Sequence, residues 1–218
     1  MMFFYDYYWL ILIPVVVAMI ASANVNSTYR KYQQVANSRG LTGEMAARKI
    51  LDANGLFNVR IEHIAGKLSD HFDPRDNVVR LSDSTEVGHA IQYAKGYAPM
   101  KLRSAVIPLT NIGSTLSYPL VILGLIFNSA LGDLFINIGI VLFLTVVVFQ
   151  FATLFVEFNA SSRAMKTLES DNILEGDELS MSRKVLTAAA LTYVAALFTA
   201  IINLLRLLLI ANGRNRRN

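Results

Sequence analysis

Four long apolar runs, separated by polar stretches, organise the chain. They cover residues 7–23, 105–127, 134–156 and 185–205, and each is close to the roughly 20 apolar residues a helix needs to cross a bilayer. Aromatic residues (Phe3, Phe4, Tyr5, Tyr7, Tyr8, Trp9) mark the start of the first run, as in an interfacial belt. With no basic stretch before it and no clear cleavage site after it, this run reads as an anchor rather than a removable signal. Pro14 is placed to kink it. The second run carries Pro108, Thr110, Asn111, Ser114, Thr115 and Pro119, a polarity that predicts packing against protein rather than lipid on all sides. After a tight loop over 128–133, the third run is the cleanest transmembrane helix and ends directly at Glu157. The fourth is interrupted by Arg206, expected to snorkel to an interface.

Between the first and second runs, residues 24–104 are polar, with short patterned elements. Thr42 is a good N-cap and Gly55 a good residue to end a helix; between them Ala46, Ala47, Ile50 and Leu51 recur at helical spacing. Residues 58–65 and 77–82 read as strands, with turn chemistry at Asp73-Pro74-Arg75-Asp76 before the second. A second helix is predicted over 84–95, stopping at Gly96 with Pro99 beyond it. The order is helix, strand, strand, helix. A further polar helical segment covers 158–184, between the third and fourth runs.

Composition sharpens the picture in three ways. Hydrophobic residues make up 54% of the chain, too many for an ordinary soluble domain. The net charge is +4, and the basic residues flank apolar runs, so they act as topology signals and not as a nucleic-acid patch. No cysteine is present, which removes disulfides, a thiol nucleophile and Cys-based metal sites. A metal must then be held by His, Asp or Glu, and the only histidines are His63, His71 and His89.

The basic surplus between the first two runs (Arg30, Lys31, Arg39, Arg48, Lys49, Lys95, Lys101, Arg103) puts residues 24–104 on the cytoplasmic side by the positive-inside rule. Three crossings bring Glu157 and residues 158–184 to that same side. A fourth puts the basic tail 213–218 outside, against the rule, so the C-terminal topology stays open from sequence. The expected organisation is an anchor over 1–23, a cytoplasmic α+β region over 24–104, a transmembrane hairpin over 105–156, a cytoplasmic helical segment over 157–184, and a C-terminal membrane helix with its tail over 185–218.

Chemistry concentrates at Glu86-Val-Gly-His89, at the start of a predicted helix, and at Glu157. An imidazole and a carboxylate are normal zinc ligands, and a second Glu nearby can take a proton from zinc-bound water. Each residue also has an ordinary structural reading. Asp83-Ser-Thr-Glu86 fits a capping box, His89 fits a hydrogen-bonded helix histidine, and Glu157 fits a charge at a helix end, although a carboxylate is unfavourable at a C-terminus. A di-iron bundle would need a second Glu-x-x-His motif, which the sequence lacks. A transporter would need more intramembrane charge than Arg206.

The chain resembles the YugP-type bacterial membrane zinc metallopeptidases, which are more distantly similar to HtpX-like membrane proteases. The resemblance rests on Gly40-Leu-Thr-Gly43, Ala47-Arg-Lys-Ile-Leu-Asp-Ala-Asn-Gly55, Leu68-Ser-Asp-His-Phe-Asp-Pro-Arg75, Val79-Arg-Leu-Ser82, Glu86-Val-Gly-His-Ala-Ile-Gln92, Gly96-Tyr-Ala-Pro99, Val156-Glu-Phe-Asn-Ala-Ser161 and Leu191-Thr-Tyr-Val-Ala-Ala196, in one order along the chain. It implies a mostly α membrane protein: about four transmembrane helices with a small α+β, minigluzincin-type metallopeptidase region in the cytoplasm of a bacterial cell. It also implies Zn²⁺ as cofactor, the lipid bilayer as environment, and protein or peptide substrates.

The family motif is His-Glu-x-x-His, with two zinc-binding histidines on one helical face and the Glu as general base. By that match Glu86 is the base, His89 a zinc ligand and Glu157 a further ligand. The first histidine has no counterpart, because position 85 is Thr, and Ser82 runs straight through Asp83, Ser84 and Thr85 into Glu86 where the family has a longer stretch. His71 is a substitute-ligand candidate; no helical spacing links it to His89, which favours a loop role beside a substrate-binding edge strand formed by 77–82. The reaction expected is peptide-bond hydrolysis, the alternative being a catalytically impaired relative that acts as a membrane-protein scaffold.

Overall fold

The computed structural model describes Tyr7, Val35 and residues 9–32, 38–64, 71–81, 88–127 and 129–215. In order they form α1 (Trp9–Tyr32), α2 (Gly43–Ala53), β1 (Arg60–His63), β2 (His71–Asp73), β3 (Val78–Leu81), α3 (Gly88–Ala94), α4 (Ala98–Ile126), α5 (Ala130–Ser170) and α6 (Gly176–Asn215). The chain divides into two compact units. One takes Met1–Ser22, Lys101–Leu154 and Leu191–Asn218; the other takes Ala23–Met100 and Phe155–Ala190.

The first unit is helical. Helices α1, α4, α5 and α6 are each long and apolar enough to cross a membrane. Pro99 falls in the first turn of α4, where a missing N–H costs nothing. Small residues bring α4 and α5 together. A Cβ at Gly113 would meet Leu142 O at 2.3 Å, one at Gly124 would meet Gly132 O at 2.6 Å, and one at Gly139 would meet Ser117 O at 2.8 Å. Without a hydrophobic drive between helices in lipid, such close backbone contact supplies the packing. Thr110 and Ser117 are buried there, while Asn111, Ser114 and Thr115 are exposed. Tyr118 packs edge-on against Phe143 at 5.7 Å between ring centroids, in a cluster with Val121 and Leu207. Helix α5 begins earlier than the sequence pattern suggests, so Asp133 lies in its first turn, where a carboxylate is favoured by the helix dipole.

The second unit is built on a three-stranded sheet of order β1-β3-β2. β1 runs parallel to β3, with Arg60 opposite Val78 and His63 opposite Leu81. β2 runs antiparallel to β3, with His71 opposite Arg80 and Asp73 opposite Val78. β2 is absent from the sequence reading, since three residues are too short for alternation to register. Its presence corrects a second expectation. The 77–82 strand is central, so the free edges among the described residues belong to β1 and β2.

Three helix ends in this unit share one motif. At α2, Gly55 N–H donates to Asp52 O (2.9 Å) and Leu56 N–H to Leu51 O (2.9 Å). At α3, Gly96 N–H donates to Tyr93 O (3.0 Å) and Tyr97 N–H to Gln92 O (3.0 Å). At α5, Asn172 N–H donates to Glu169 O (3.2 Å) and Ile173 N–H to Leu168 O (3.0 Å). These are Schellman ends, which need a left-handed residue; Gly55, Gly96 and Asn172 have φ of +75°, +60° and +51°. The start of α2 is capped as the sequence suggests, Met45 N–H donating to Thr42 Oγ1 at 3.2 Å. The core gathers Ala47, Ile50 and Leu51 of α2, Val59 before β1, Val79 and Leu81 of β3, Leu168 of α5, and Ile173.

Helix α5 changes one expectation that bears on function. Sequence polarity divides a membrane helix ending at 156 from a separate helical segment over 158–184. In the structure α5 runs unbroken through Glu157 to Ser170, and the break falls at residues 171–175. Ala160, Arg163, Ala164, Met165, Lys166 and Leu168 are good helix formers, so leaving an apolar run does not end the helix.

Candidate metal centre

Two elements of the second unit carry the candidate residues. α3 is a short helix held at its C-terminus by the Gly96 Schellman end, and it presents His89 and Gln92 three residues apart, on one face. α5 contributes Val156, Glu157, Asn159 and Arg163 from its interior. Glu157 is therefore a mid-helix residue, not the helix-end charge expected from sequence.

The structure brings His89 and Glu157 together. His89 Nε2 lies 3.2 Å from Glu157 Oε2, with side chains only 12% and 8% exposed. The other ring nitrogen, Nδ1, lies 3.0 Å from Gln92 Oε1. Gln92 is fully buried, and its amide NH₂ donates to Val156 O (2.6 Å) and Asn159 Oδ1 (3.2 Å). Arg163 Nε–H donates to the same Asn159 Oδ1 at 2.6 Å, and the Arg163 guanidinium stands 5.6 Å from the Tyr97 ring centroid. Tyr97, Arg163, Asn159, Gln92, His89 and Glu157 thus form one connected chain of contacts. Burying such groups is tolerable only because they are paired.

Thr85 and Glu86 lie outside the described residues. His71 begins β2 and is exposed, within a strand rather than a loop. Among the described residues no group of three His, Asp or Glu side chains is placed to hold a metal ion. Gln92, Asn159, Arg163 and Tyr97 did not stand out in the sequence. The i, i+3 spacing of His89 and Gln92 on a predicted helix is the signal that points to the first of them.

β2 is braced to β3 by charge. Arg80 Nη1 pairs with Asp73 Oδ2 at 2.8 Å, Nη2 with Asp76 Oδ2 at 2.9 Å, and Nε with Glu62 Oε2 at 3.2 Å. The hydrogen bond from Arg80, followed by that from the Arg75 N–H, holds the Asp73 carboxyl below the usual carboxylate range. The same partners push the Arg80 guanidinium above its ordinary value. β2 is in turn held against α3, Phe72 and Tyr93 rings lying 5.8 Å apart.

The His89–Glu157 geometry suits a zinc ion. Zinc bonds of about 2.0–2.1 Å at a tetrahedral angle set two donor atoms roughly 3.3 Å apart, close to the 3.2 Å observed. The pair supplies two protein donors, against the three of most catalytic zinc sites.

Four helices long and apolar enough to cross a membrane mark a membrane protein class, and the sequence comparison names the family. The chain belongs to the family described as "Putative neutral zinc metallopeptidase", whose family model matches residues 7–212. A relative from Bacillus subtilis (strain 168), named "Putative membrane protease YugP", is 43% identical over 211 residues, covering 89% of this chain and 92% of the relative. No solved structure matches the chain.

Proposed function

We propose that this chain is a zinc-dependent peptidase that hydrolyses peptide bonds of membrane or membrane-proximal proteins on the cytoplasmic side of a bacterial cell membrane. The observation that carries this reading is the buried approach of His89 Nε2 to Glu157 Oε2 at 3.2 Å, in a chain of the zinc metallopeptidase family. His89 and Glu157 would hold the ion. Bound there, zinc supplies a Lewis acid for the scissile carbonyl and a water acidified to a pKa of about 7. Glu86, which matches the family's base, would serve as the group that takes up a proton and delivers it to the departing amine nitrogen. β2 is an outer strand of the sheet among the described residues and packs on α3, and an extended substrate would pair along this strand by strand addition. Residues 24–104 and 157–184 form the minigluzincin-type cytoplasmic part.

A second reading has its own support: Thr85 stands where the family has its first ligand histidine, and the described donors number two. On that reading the protein is a catalytically impaired relative that binds membrane proteins as a scaffold. Purified full-length chain in detergent separates the two. The peptidase reading expects stoichiometric zinc and cleavage of an unstructured protein, with Glu86→Gln abolishing cleavage but keeping zinc. Absence of both zinc and cleavage in the native chain overturns the peptidase reading, and the scaffold reading then requires retained binding of a membrane protein.

A further inference from the structure

We propose that Gln92 is a positioning residue that fixes the tautomer of His89, holding the proton on Nδ1 so that the Nε2 lone pair faces Glu157. The orientation of each group follows from two neighbours whose hydrogen-bonding sense cannot reverse. Val156 O is a backbone carbonyl and only accepts, so the Gln92 atom 2.6 Å from it is the NH₂. Arg163 only donates, so the Asn159 atom 2.6 Å from its Nε is the carbonyl oxygen. That same oxygen accepts from Gln92 Nε2 at 3.2 Å, which again makes this Gln92 atom the donor. Both constraints turn Gln92 Oε1 toward His89, 3.0 Å from Nδ1. An oxygen acceptor at that distance requires a proton on Nδ1. In the neutral ring Nε2 is then a bare acceptor, and it faces a carboxylate oxygen at 3.2 Å.

The Glu157 carboxylate at this distance is met either by the Nε2–H of an imidazolium or, with the ring neutral, by a cation shared with the Nε2 lone pair; Gln92 fixes which ring nitrogen is left for Glu157. Asn159 and Arg163 act one step further out, by setting which way the Gln92 amide points. Outer partners of this kind orient a histidine ligand and fix its tautomer, and losing one costs about 10–100-fold in metal affinity. The purpose assigned to the tautomer rests on the zinc reading above; the tautomer itself does not.

The test uses two measurements on the full chain in detergent. The first is the ¹⁵N–¹H two-bond correlation spectrum of the histidine rings in metal-free protein carrying Glu157→Leu, at a pH where imidazole is neutral. That substitution leaves Gln92 as the partner under test, and loss of signals in His89→Gln assigns the ring. The expected result is Nδ1–H with Gln92 present, a shift toward Nε2–H in Gln92→Met, and retention of Nδ1–H in Gln92→Glu. The Glu variant keeps an acceptor for Nδ1 while losing the amide donors, so a merely structural role would disturb both variants alike. A predominantly Nε2–H ring with Gln92 present overturns the proposal, and this arm decides even when Gln92→Met fails to fold. The second measurement is zinc affinity by chelator competition with Glu157 intact. Gln92→Met is expected to lose about 10–100-fold, and Gln92→Glu, which keeps the Nδ1 acceptor but sets an oxygen against Val156 O and Asn159 Oδ1, to lose less. A native chain that binds no zinc refutes the zinc reading, while the ring spectrum still decides the role of Gln92.

Discussion

Arg80 grips Asp73 across the β2–β3 pair, Nη1 to Oδ2 at 2.8 Å, and this contact makes the short strand β2 sensitive to acid. The Asp73 carboxyl titrates below its unfolded value, chiefly because Arg80 hydrogen-bonds its charged form. A depressed folded pKa contributes stability above the unfolded value, near 4 for Asp, and loses it as pH falls through the folded value. The expected outcome is a decline in thermal stability of the native chain below about pH 4, blunted in Asp73→Asn. An identical acid profile for the two proteins contradicts the assignment.

Adding one methyl group at Gly113 should be costly. Its Cβ would sit 2.3 Å from the Leu142 carbonyl oxygen and 2.5 Å from Thr145 Oγ1. Backbone cannot rotate away as a side chain can, so Gly113→Ala must push α4 and α5 apart. Overpacking of this kind costs about 1–3 kcal/mol. Equilibrium unfolding in mixed micelles measures it, and a variant as stable as the native chain counts against the close approach.

Zinc retention should depend on His89 and Glu157 alike. Replacing either by Ala is expected to weaken zinc binding by more than the roughly 10–100-fold that an outer partner costs. Metal analysis after dialysis reads this directly. Undiminished zinc in His89→Ala would place the ion elsewhere in the chain.

Ser38 and Arg75 should face the cytoplasm, given the basic surplus between the first two apolar runs. The chain has no native cysteine, so a single Cys at either position can be probed with an impermeant maleimide. Protection in intact cells and labelling after lysis are expected. Labelling before lysis reverses the orientation.

The sequence makes some of this legible and not the rest, for identifiable reasons. Thr42, Gly55 and Gly96 declare helix ends because capping is local chemistry, and the structure uses each of them that way. The apolar runs declare the membrane-length helices for the same reason: length and hydropathy are local. Glu157 misleads about its helix because polarity changes there while helix propensity does not. β2 is invisible because His71-Phe72-Asp73 is strand only by virtue of pairing with Val78–Arg80. His89, Glu86 and Glu157 stand out as zinc-type chemistry and through the resemblance. The company His89 keeps does not, since Val156 and Asn159 reach Gln92 only once α3 lies against α5.

The make-up of the sheet unit's core has a consequence for how the chain is born. Ile50, Leu51, Val79 and Leu81 are buried in part by Leu168 and Ile173, which leave the ribosome only after the whole of α4 and most of α5. At about 5–20 residues per second, that interval is on the order of ten seconds. During it the early sheet and α2 exist without their lid, with apolar surface exposed beside a membrane still being threaded. The unit therefore cannot finish folding as an N-terminal domain ahead of insertion. Its completion waits for Leu168 and Ile173, so the candidate metal centre, which also needs Glu157, assembles only after the third membrane-length helix has been made.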